Sequence, residues 1–185
     1  CYIHNQNWLL LPPYQLQSRE ALPVITSDKV RIPDPSTVMT INNRGSIKGT
    51  GNFTSGTSLV GTVTNFLGKG IEKGMIVYNF TDKIAYHVVS VDNDTEITLS
   101  DGAVGGATST FAIYARPTIG CTLFVGTAGD LTVQMAENNG NTNVTTAPAN
   151  AEVLYKNITN ASFLPIQVVR VDKTDTTADD IVAMW

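Results

Sequence analysis

Few residues of this chain could do chemistry, and they lie far apart in the sequence. A cysteine and a histidine can act as nucleophile and general base, and Cys121 and His87 are the pair available for this role. Both lie in runs that alternate like strands. In such runs a buried thiol behaves as a small apolar group, and a lone histidine usually faces one side of a sheet. No third group or motif supports the pair, so we predict no catalytic residues and no enzymatic activity.

Metal and phosphate chemistry have equally little support. Asp92, Asp94 and Glu96 begin like an acidic calcium loop, but the glycine at the sixth position and the distal glutamate are missing. A hairpin turn with solvated acids is the preferred interpretation. The glycine-rich stretches lack a following helix and a Lys-Ser/Thr pair, so they do not resemble a phosphate cradle. We predict no metal site and no cofactor.

Composition excludes several classes of protein. Among 185 residues, 16 acidic side chains outnumber 12 basic ones, and the net charge of −4 argues against a nucleic-acid partner. No apolar run approaches the roughly 18–20 residues of a membrane span, so no membrane partner is expected. Two cysteines cannot form a disulfide framework.

The polar residues point to the fold class. Only 15% of the residues are charged, while Thr, Asn, Val and Gly are abundant. Thr and Val favour strands, and Gly and Asn favour turns, whereas Lys, Glu and Leu, the usual material of surface helices, are scarce. We therefore predict an all-β protein with uncharged polar faces.

Residues 1–46 are predicted to form an extended N-terminal arm. Five of the eight prolines lie here, which disfavours a helix or a central strand, yet the apolar residues are too many for a solvated linker. We expect the arm to lie on its own domain or on a neighbouring subunit. The start at Cys1 instead of Met fits a processed or trimmed N-terminus, which is the preferred interpretation, a sequence that begins inside a longer product, or a mature lipoprotein. The residues predicted to make assembly contacts are Trp8, Leu9, Leu10, Leu11 and Tyr14.

The remainder divides into two β units. Residues 47–115 hold ten of the fifteen glycines, and their four or five short strands predict a small β-barrel or sandwich inserted before a C-terminal unit. Residues 116–185 predict an antiparallel β-sandwich that part of the arm completes. The predicted strands cover residues 58–64, 75–80, 85–91, 96–99, 110–114, 120–125, 131–135, 153–158, 163–171 and 181–185.

The C-terminal unit resembles a family of phage-type virion proteins. Residues 123–133 read LFVGTAGDLTV, which is similar to the LYVGTAGDLTV strand-turn-strand of a family that includes the head spike base proteins of gene transfer agents and many proteins of tailed phages. The endings LPIQVVRV at 164–171 and IVAMW at 181–185 also resemble that family. In the arm, ITSD at 25–28, followed by Ile32-Pro33, is similar to its N-terminal segment.

The resemblance implies a structural protein of the virion without catalytic residues. Compact family members lack residues 47–115, which look like an inserted β-module of a kind common in phage structural proteins. We therefore expect a capsid decoration, cement or head spike-base subunit that forms a trimer or pentamer on the capsid surface after assembly in the host cytoplasm. Its expected partners are the major capsid protein or other virion proteins, and a fibre or spike protein.

Two alternatives remain open. The chain could instead belong to the tail, neck or fibre apparatus of a phage. It could also be a host-surface carbohydrate-binding module, which predicts clustered exposed aromatic residues. The candidates for that surface are Tyr78, Phe80 and Tyr86, whose other interpretation is ordinary core.

Overall fold

The computed structural model describes residues 20–42, 45–53, 56–103, 105–106, 108–117, 119–136 and 152–185. Within these residues twelve strands and one short 3-10 turn, Pro35–Thr37, confirm the predicted all-β class. The strands form a closed six-stranded barrel and a six-stranded sheet, both antiparallel. In chain order they are β1 Ala21–Pro23, β2 Lys48–Asn52, β3 Ser58–Gly61, β4 Ile76–Asn79, β5 Ile84–Val91, β6 Glu96–Leu99, β7 Ser109–Tyr114, β8 Cys121–Thr127, β9 Gly129–Met135, β10 Glu152–Ile158, β11 Ser162–Val171 and β12 Asp179–Met184.

Strands β2 to β7 close into the barrel in the order β2, β3, β6, β5, β4, β7. Strand β6 illustrates the pattern. Ile97 and Leu99 are buried and face the interior, whereas Glu96 and Thr98 alternate with them and are only partly buried. Successive side chains of a strand point to opposite faces, so this alternation suits a strand with one buried face. Side chains of the other strands also fill the interior, and β4 is buried at all four of its positions because its outer face is covered as well. All six strands lie inside residues 47–115, the predicted insert.

An aromatic cluster fills the barrel and explains its glycines. Phe111 is fully buried, with its ring centroid 6.0 Å from that of Phe53 and 6.4 Å from that of Phe66. A Cβ atom at Gly49 or Gly51 would lie 2.9 Å from the Phe111 ring, closer than packed atoms approach. These two positions in β2 are therefore glycine because the ring occupies the space of a side chain.

One carboxylate ties the turn between β4 and β5 to the start of β7. Asn79 Oδ1 accepts hydrogen bonds from the backbone N–H groups of Thr81 and Asp82, each at 3.1 Å. Asp82 Oδ2 in turn accepts from Ser109 Oγ at 2.7 Å and from Asn79 Nδ2 at 2.8 Å. These two side-chain hydrogen bonds, that of Ser109 first, hold the pKa of Asp82 below its ordinary value.

Replacing Asp82 by alanine is expected to lower the free energy of unfolding by about 1 kcal/mol at neutral pH, because hydrogen bonds in an exposed turn are lost. Since the pKa of Asp82 is lower in the folded protein, its contribution exists above the unfolded-state pKa and disappears as the pH falls through the folded-state pKa. Urea unfolding at pH 7 and at pH 2.5 measures the difference between wild type and variant. An equal difference at both values would contradict this role.

The C-terminal unit is built around β8 and β9, which together act as one long bent strand. On one side this strand pairs with β10 and with residues 162–164 of β11. On the other side it pairs with residues 168–171 of β11 and with β12. Strand β11 therefore crosses from one flank to the other, with a shift of register between Leu164 and Val168.

This single antiparallel sheet has an apolar core of its own, in the unit where the sequence predicted a C-terminal sandwich. The buried core residues come from β8, β9, β11 and β12 and from the segments beside them. They are Ile32, Cys121, Leu123, Val125, Leu131, Val133, Val168, Val171, Ala178, Ile181 and Ala183.

The second half of the predicted arm packs on its own chain. Strand β1 pairs with β12 and completes the sheet. The following residues hydrogen-bond to β12 and β11, and Met39 N–H then donates to Ile113 O in the barrel at 2.8 Å. Leu22, Ile25 and Val30 are buried in a cluster with the outer face of the barrel. The segment thus joins the barrel to the C-terminal sheet.

Candidate assembly surface

The arm residues predicted to make assembly contacts lie outside the described part of the chain. Trp8, Leu9, Leu10, Leu11 and Tyr14 all precede residue 20, where the described structure begins. Their role stays a prediction. The structure places the residues that follow them, since β1 fixes the exit of this segment at one edge of the C-terminal sheet.

The proposed exposed aromatic cluster is wrong for two of its three members. Tyr78 is 0% exposed and Tyr86 is 2% exposed. Tyr86 lies inside the barrel, with its ring centroid 5.9 Å from that of Phe53. Tyr78 is on the outer face, where the arm covers it, and its ring centroid is 6.1 Å from that of Phe80. The sequence pattern separates the two faces of β4, but it does not show that the arm covers the outer face.

Phe80 is partly buried and has a cationic neighbour. Its ring packs against the cluster that contains Tyr78, and the ammonium group of Lys48 lies 4.9 Å from the ring centroid. A single half-covered ring beside a lysine is a cation–π contact on the barrel surface. It does not form the cluster of exposed aromatic rings that a carbohydrate-binding surface was expected to have.

Cys121 and His87, the two residues considered as a catalytic pair, lie in different units of the fold, the C-terminal sheet and the barrel. Cys121 is buried in the core of the C-terminal sheet, and burial raises its pKa to about 12. His87 is in barrel strand β5, where burial lowers its pKa and its Nε2 atom lies 3.4 Å from Lys29 O. A thiol with so high a pKa is a poor nucleophile.

In the acidic turn after β5, the carboxylate of Asp92 accepts hydrogen bonds from two neighbouring hydroxyl groups. Asp92 accepts hydrogen bonds from Ser90 Oγ at 2.8 Å and from Thr98 Oγ1 at 2.7 Å. The turn therefore acts as the connection of a hairpin. In the described residues, no three His, Cys, Asp or Glu side chains are grouped so that they could hold a metal ion.

A cleft of about 230 Å³ lies where the arm, the barrel and the loop after β11 meet. Lys29 Nζ is 2.6 Å from Asp101 Oδ1 across this cleft, in an exposed ion pair. The carboxylate of Asp28 accepts from the backbone N–H and the hydroxyl of Thr174, at 2.7 and 2.9 Å. Both carboxylates that line the cleft are thus engaged within the chain, and their bonds hold its three walls together.

The most distinctive surface is a continuous edge of the C-terminal sheet, residues 152–164, which we call the outer ribbon. It consists of β10, the turn after it and the first residues of β11. Among the described strands, residues 152–158 pair only with β9 and residues 162–164 pair only with β8. The opposite side of the ribbon has no strand beside it in the described structure, and such an edge is open to pairing with another chain.

The outer ribbon is apolar for an exposed edge. Val153 is 36% exposed, Leu154 is 43% exposed and Phe163 is 52% exposed. Only two of its thirteen residues are charged, Glu152 and Lys156. Native proteins normally protect an edge strand by charges or by covering it. A long apolar edge with few charges is therefore typical of a surface that binds another protein.

The turn of the outer ribbon is fixed to the bend between β8 and β9. Asn160 Oδ1 accepts from the backbone N–H of Ala128 at 2.6 Å, and Asp130 Oδ1 accepts from that of Asn157 at 2.9 Å. Asn157 and Ala161 have positive φ angles of 56° and 57° and mark the irregular part of the ribbon. These bonds hold the ribbon in one conformation, so a partner would meet a preformed edge.

A buried ion cluster anchors the first residue of the ribbon. Arg170 Nη2 is 2.7 Å from Glu152 Oε1, and Arg170 Nε is 2.6 Å from Asp172 Oδ1. The side chains of Arg170 and Asp172 are 5% and 4% exposed, while that of Glu152 is 42% exposed. Burial raises the pKa of Asp172 to about 6, although Arg170 opposes this effect. The cluster links β10 to the end of β11 through charge.

The contribution of Asp172 to stability is expected to grow as the pH falls from 7 towards 4. Its folded-state pKa of about 6 lies above the ordinary value of 3.8, so protonation favours the folded chain in this window. The contribution is complete below the unfolded-state pKa and is lost as the pH rises through about 6. Urea unfolding of wild type and Asp172→Asn at pH 4.5 and 7 should show wild type gaining relative to the variant at pH 4.5. A pH-independent difference would contradict the prediction.

Sequence reasoning located the strands of the outer ribbon but not its role. Residues 153–158 and 163–171 were both predicted as strands, close to the observed β10 and β11. Val153, Leu154 and Phe163 were not singled out, because an edge is defined by which strands pair. The available signal was the scarcity of charge in residues 152–164.

The described part of the chain contains no helix that is long and apolar enough to cross a membrane. No family model, no curated protein and no solved structure matches the chain.

Proposed function

We propose that the chain is a non-enzymatic structural protein of a tailed-phage or gene-transfer-agent virion. In this proposal it is a capsid decoration, cement, or head spike or fibre-base subunit. It acts by forming a symmetric trimer or pentamer and by contacting the major capsid protein, other virion proteins, or a fibre or spike. Its location is the capsid surface.

The observation that carries the proposal is the outer ribbon. An exposed edge with Val153, Leu154 and Phe163 provides main-chain donors and acceptors together with apolar side chains for a partner. Burying one such side chain completely contributes about 1.5–3 kcal/mol, and a symmetric assembly repeats the contact in every copy.

The resemblance of residues 123–133 to the head spike base proteins gives the proposal its biological setting. In this chain that motif is the bent strand β8–β9, which lies beside the outer ribbon. The barrel of residues 48–114 is a separate closed unit, available to face outward or to contact a fibre. A carbohydrate-binding role is not carried forward, since Tyr78 and Tyr86 are buried.

The test is the composition of purified particles. Mass spectrometry of gradient-purified virions from the phage or gene transfer agent that encodes the chain should find it at a fixed ratio to the major capsid protein. Immunogold labelling then separates the head from the tail, neck or fibre apparatus, which is the alternative location. Absence from particles, with the chain abundant in the same lysate, would overturn the proposal.

A further inference from the structure

In the described residues the C-terminal sheet ends in two different strands. Its strand order is β1, β12, β8, β11, β9, β10, so the short strand β1 lies at one end and β10, the first part of the outer ribbon, at the other. Residues 1–19 precede Glu20 and β1 in the sequence, so they connect to the described chain at the β1 end of the sheet. Two unlike edges on one sheet can meet head to tail between copies, and such heterologous contacts form a ring when the rotation between copies closes.

The sequence of residues 1–19 suits an apolar edge. Its first eighteen residues contain no Lys, Arg, Asp or Glu, so docking them would bury no fixed charge. Tyr14 and Leu16 alternate with Gln15 and Gln17, which is the pattern of a strand with one apolar face. An alternating uncharged segment can add to a free edge by main-chain hydrogen bonds while its apolar side chains contact the ribbon.

The length of the segment is sufficient to reach another copy. Neighbouring strands lie about 4.8 Å apart, so a flat sheet of six strands is about 24 Å wide. Leu16 lies five residues before the start of β1, and five extended residues span up to about 17 Å, which is less than this width. In a ring of copies, the β1 edge of one sheet faces the outer ribbon of the next, so the segment reaches that ribbon without crossing a face of its own sheet.

We propose that residues 1–19 of one copy dock on the outer ribbon of the next copy, with residues 14–17 as the added strand, which closes a ring of three or five subunits. The occupant of the ribbon is thus a second copy of this chain. The inference rests on the proposed assembly function and names the partner of that surface.

Cysteine crosslinking between full-length chains tests the pairing. The background is Cys1→Ser, and the native Cys121 is retained because it is buried. One chain carries Leu16→Cys, and a second chain carries a cysteine at one of positions 153 to 156, scanned singly to cover the register. Mixed chains should form a disulfide-linked pair under mild oxidation, and a chain carrying both cysteines should form covalent rings of three or five. Crosslinking only within one chain, or no crosslink at any position, overturns the inference.

A matched pair of substitutions measures the effect on assembly. Leu16→Asp places a charge on the apolar face of the alternation, and Gln17→Asp places the same charge on the polar face. Leu16→Asp should raise the dissociation constant of the oligomer at least 100-fold, while Gln17→Asp should change it less than 5-fold. Equal effects would contradict an added strand.

Binding of the same proteins to purified capsids separates this inference from the proposed function. If crosslinks are absent but the wild-type chain is still present in particles, the docking of residues 1–19 is wrong and the virion role stands. If rings form but the chain is absent from particles, the docking is right and the virion role is wrong.

Discussion

Replacing Arg170 by methionine is expected to lower the free energy of unfolding by about 3–5 kcal/mol, since it leaves a buried carboxylate without its partner. Asp172 is 4% exposed on its side chain, and Arg170 Nε lies 2.6 Å from its Oδ1 atom. Its second oxygen, Oδ2, has no hydrogen-bond partner in the described structure, so the guanidinium is the main compensation for this charge. Urea unfolding at pH 7, where Asp172 is mostly ionised, measures the loss.

Two control variants distinguish the effect of burying an ion pair from the effect of removing a charge. Lys29→Met removes an ion pair of similar length at 2.6 Å, but its partners are 64% and 51% exposed, so the expected loss is below about 1 kcal/mol. The double variant Arg170→Met/Asp172→Leu removes both buried charges and should recover most of the loss. A change below about 1 kcal/mol for Arg170→Met would show that Asp172 is not held by this arginine.

Introducing charge on the outer ribbon is expected to abolish assembly while leaving the fold intact. In the double variant Leu154→Lys/Phe163→Lys, two apolar side chains that are 43% and 52% exposed are replaced. Each side chain buried in an interface contributes about 1.5–3 kcal/mol, so losing two raises the dissociation constant of the oligomer roughly 100-fold or more. The free energy of unfolding of one chain should change by less than about 1 kcal/mol, because exposed positions tolerate substitution.

The barrel offers a matched control for this substitution. Leu67 is 58% exposed on the loop between β3 and β4 and is as apolar as the ribbon residues. Leu67→Lys should leave the dissociation constant unchanged, as measured by sedimentation equilibrium. An equal weakening by Leu67→Lys would mean that general surface charge, and not the ribbon, controls association. An unchanged constant in the ribbon variant would exclude the ribbon as the interface.

Local patterns predicted much of this fold. Alternation identified β6, one face of which is buried, and short apolar or alternating runs identified most other strands of both units. Strand β2 was missed, since glycines at 49 and 51 are typical of turns. Their presence depends on the Phe111 ring, some sixty residues later in the chain, which occupies the space of their side chains. A local pattern cannot carry that information.

Long-range pairing accounts for what sequence reasoning did not find in the candidate surface. The bend between β8 and β9 requires Gly129, because a Cβ atom there would meet the backbone of Thr177 and Ala178. This bend, together with the crossing of β11, decides that residues 152–164 form an outer edge. Likewise, the burial of Tyr78 depends on Leu22 and Ile25 covering the barrel. Periodicity defines the faces of a strand, whereas the neighbours of each face follow from the complete topology.

The most direct test of the central claim, that this chain works by assembling through the outer ribbon, is the mass of the full-length protein in solution. Sedimentation equilibrium across a range of concentrations should give three or five times the mass of one chain, and Leu154→Lys/Phe163→Lys should return the mass to that of a single chain. A wild-type protein that stays monomeric at every concentration, or a ribbon variant that assembles as wild type does, would contradict the account.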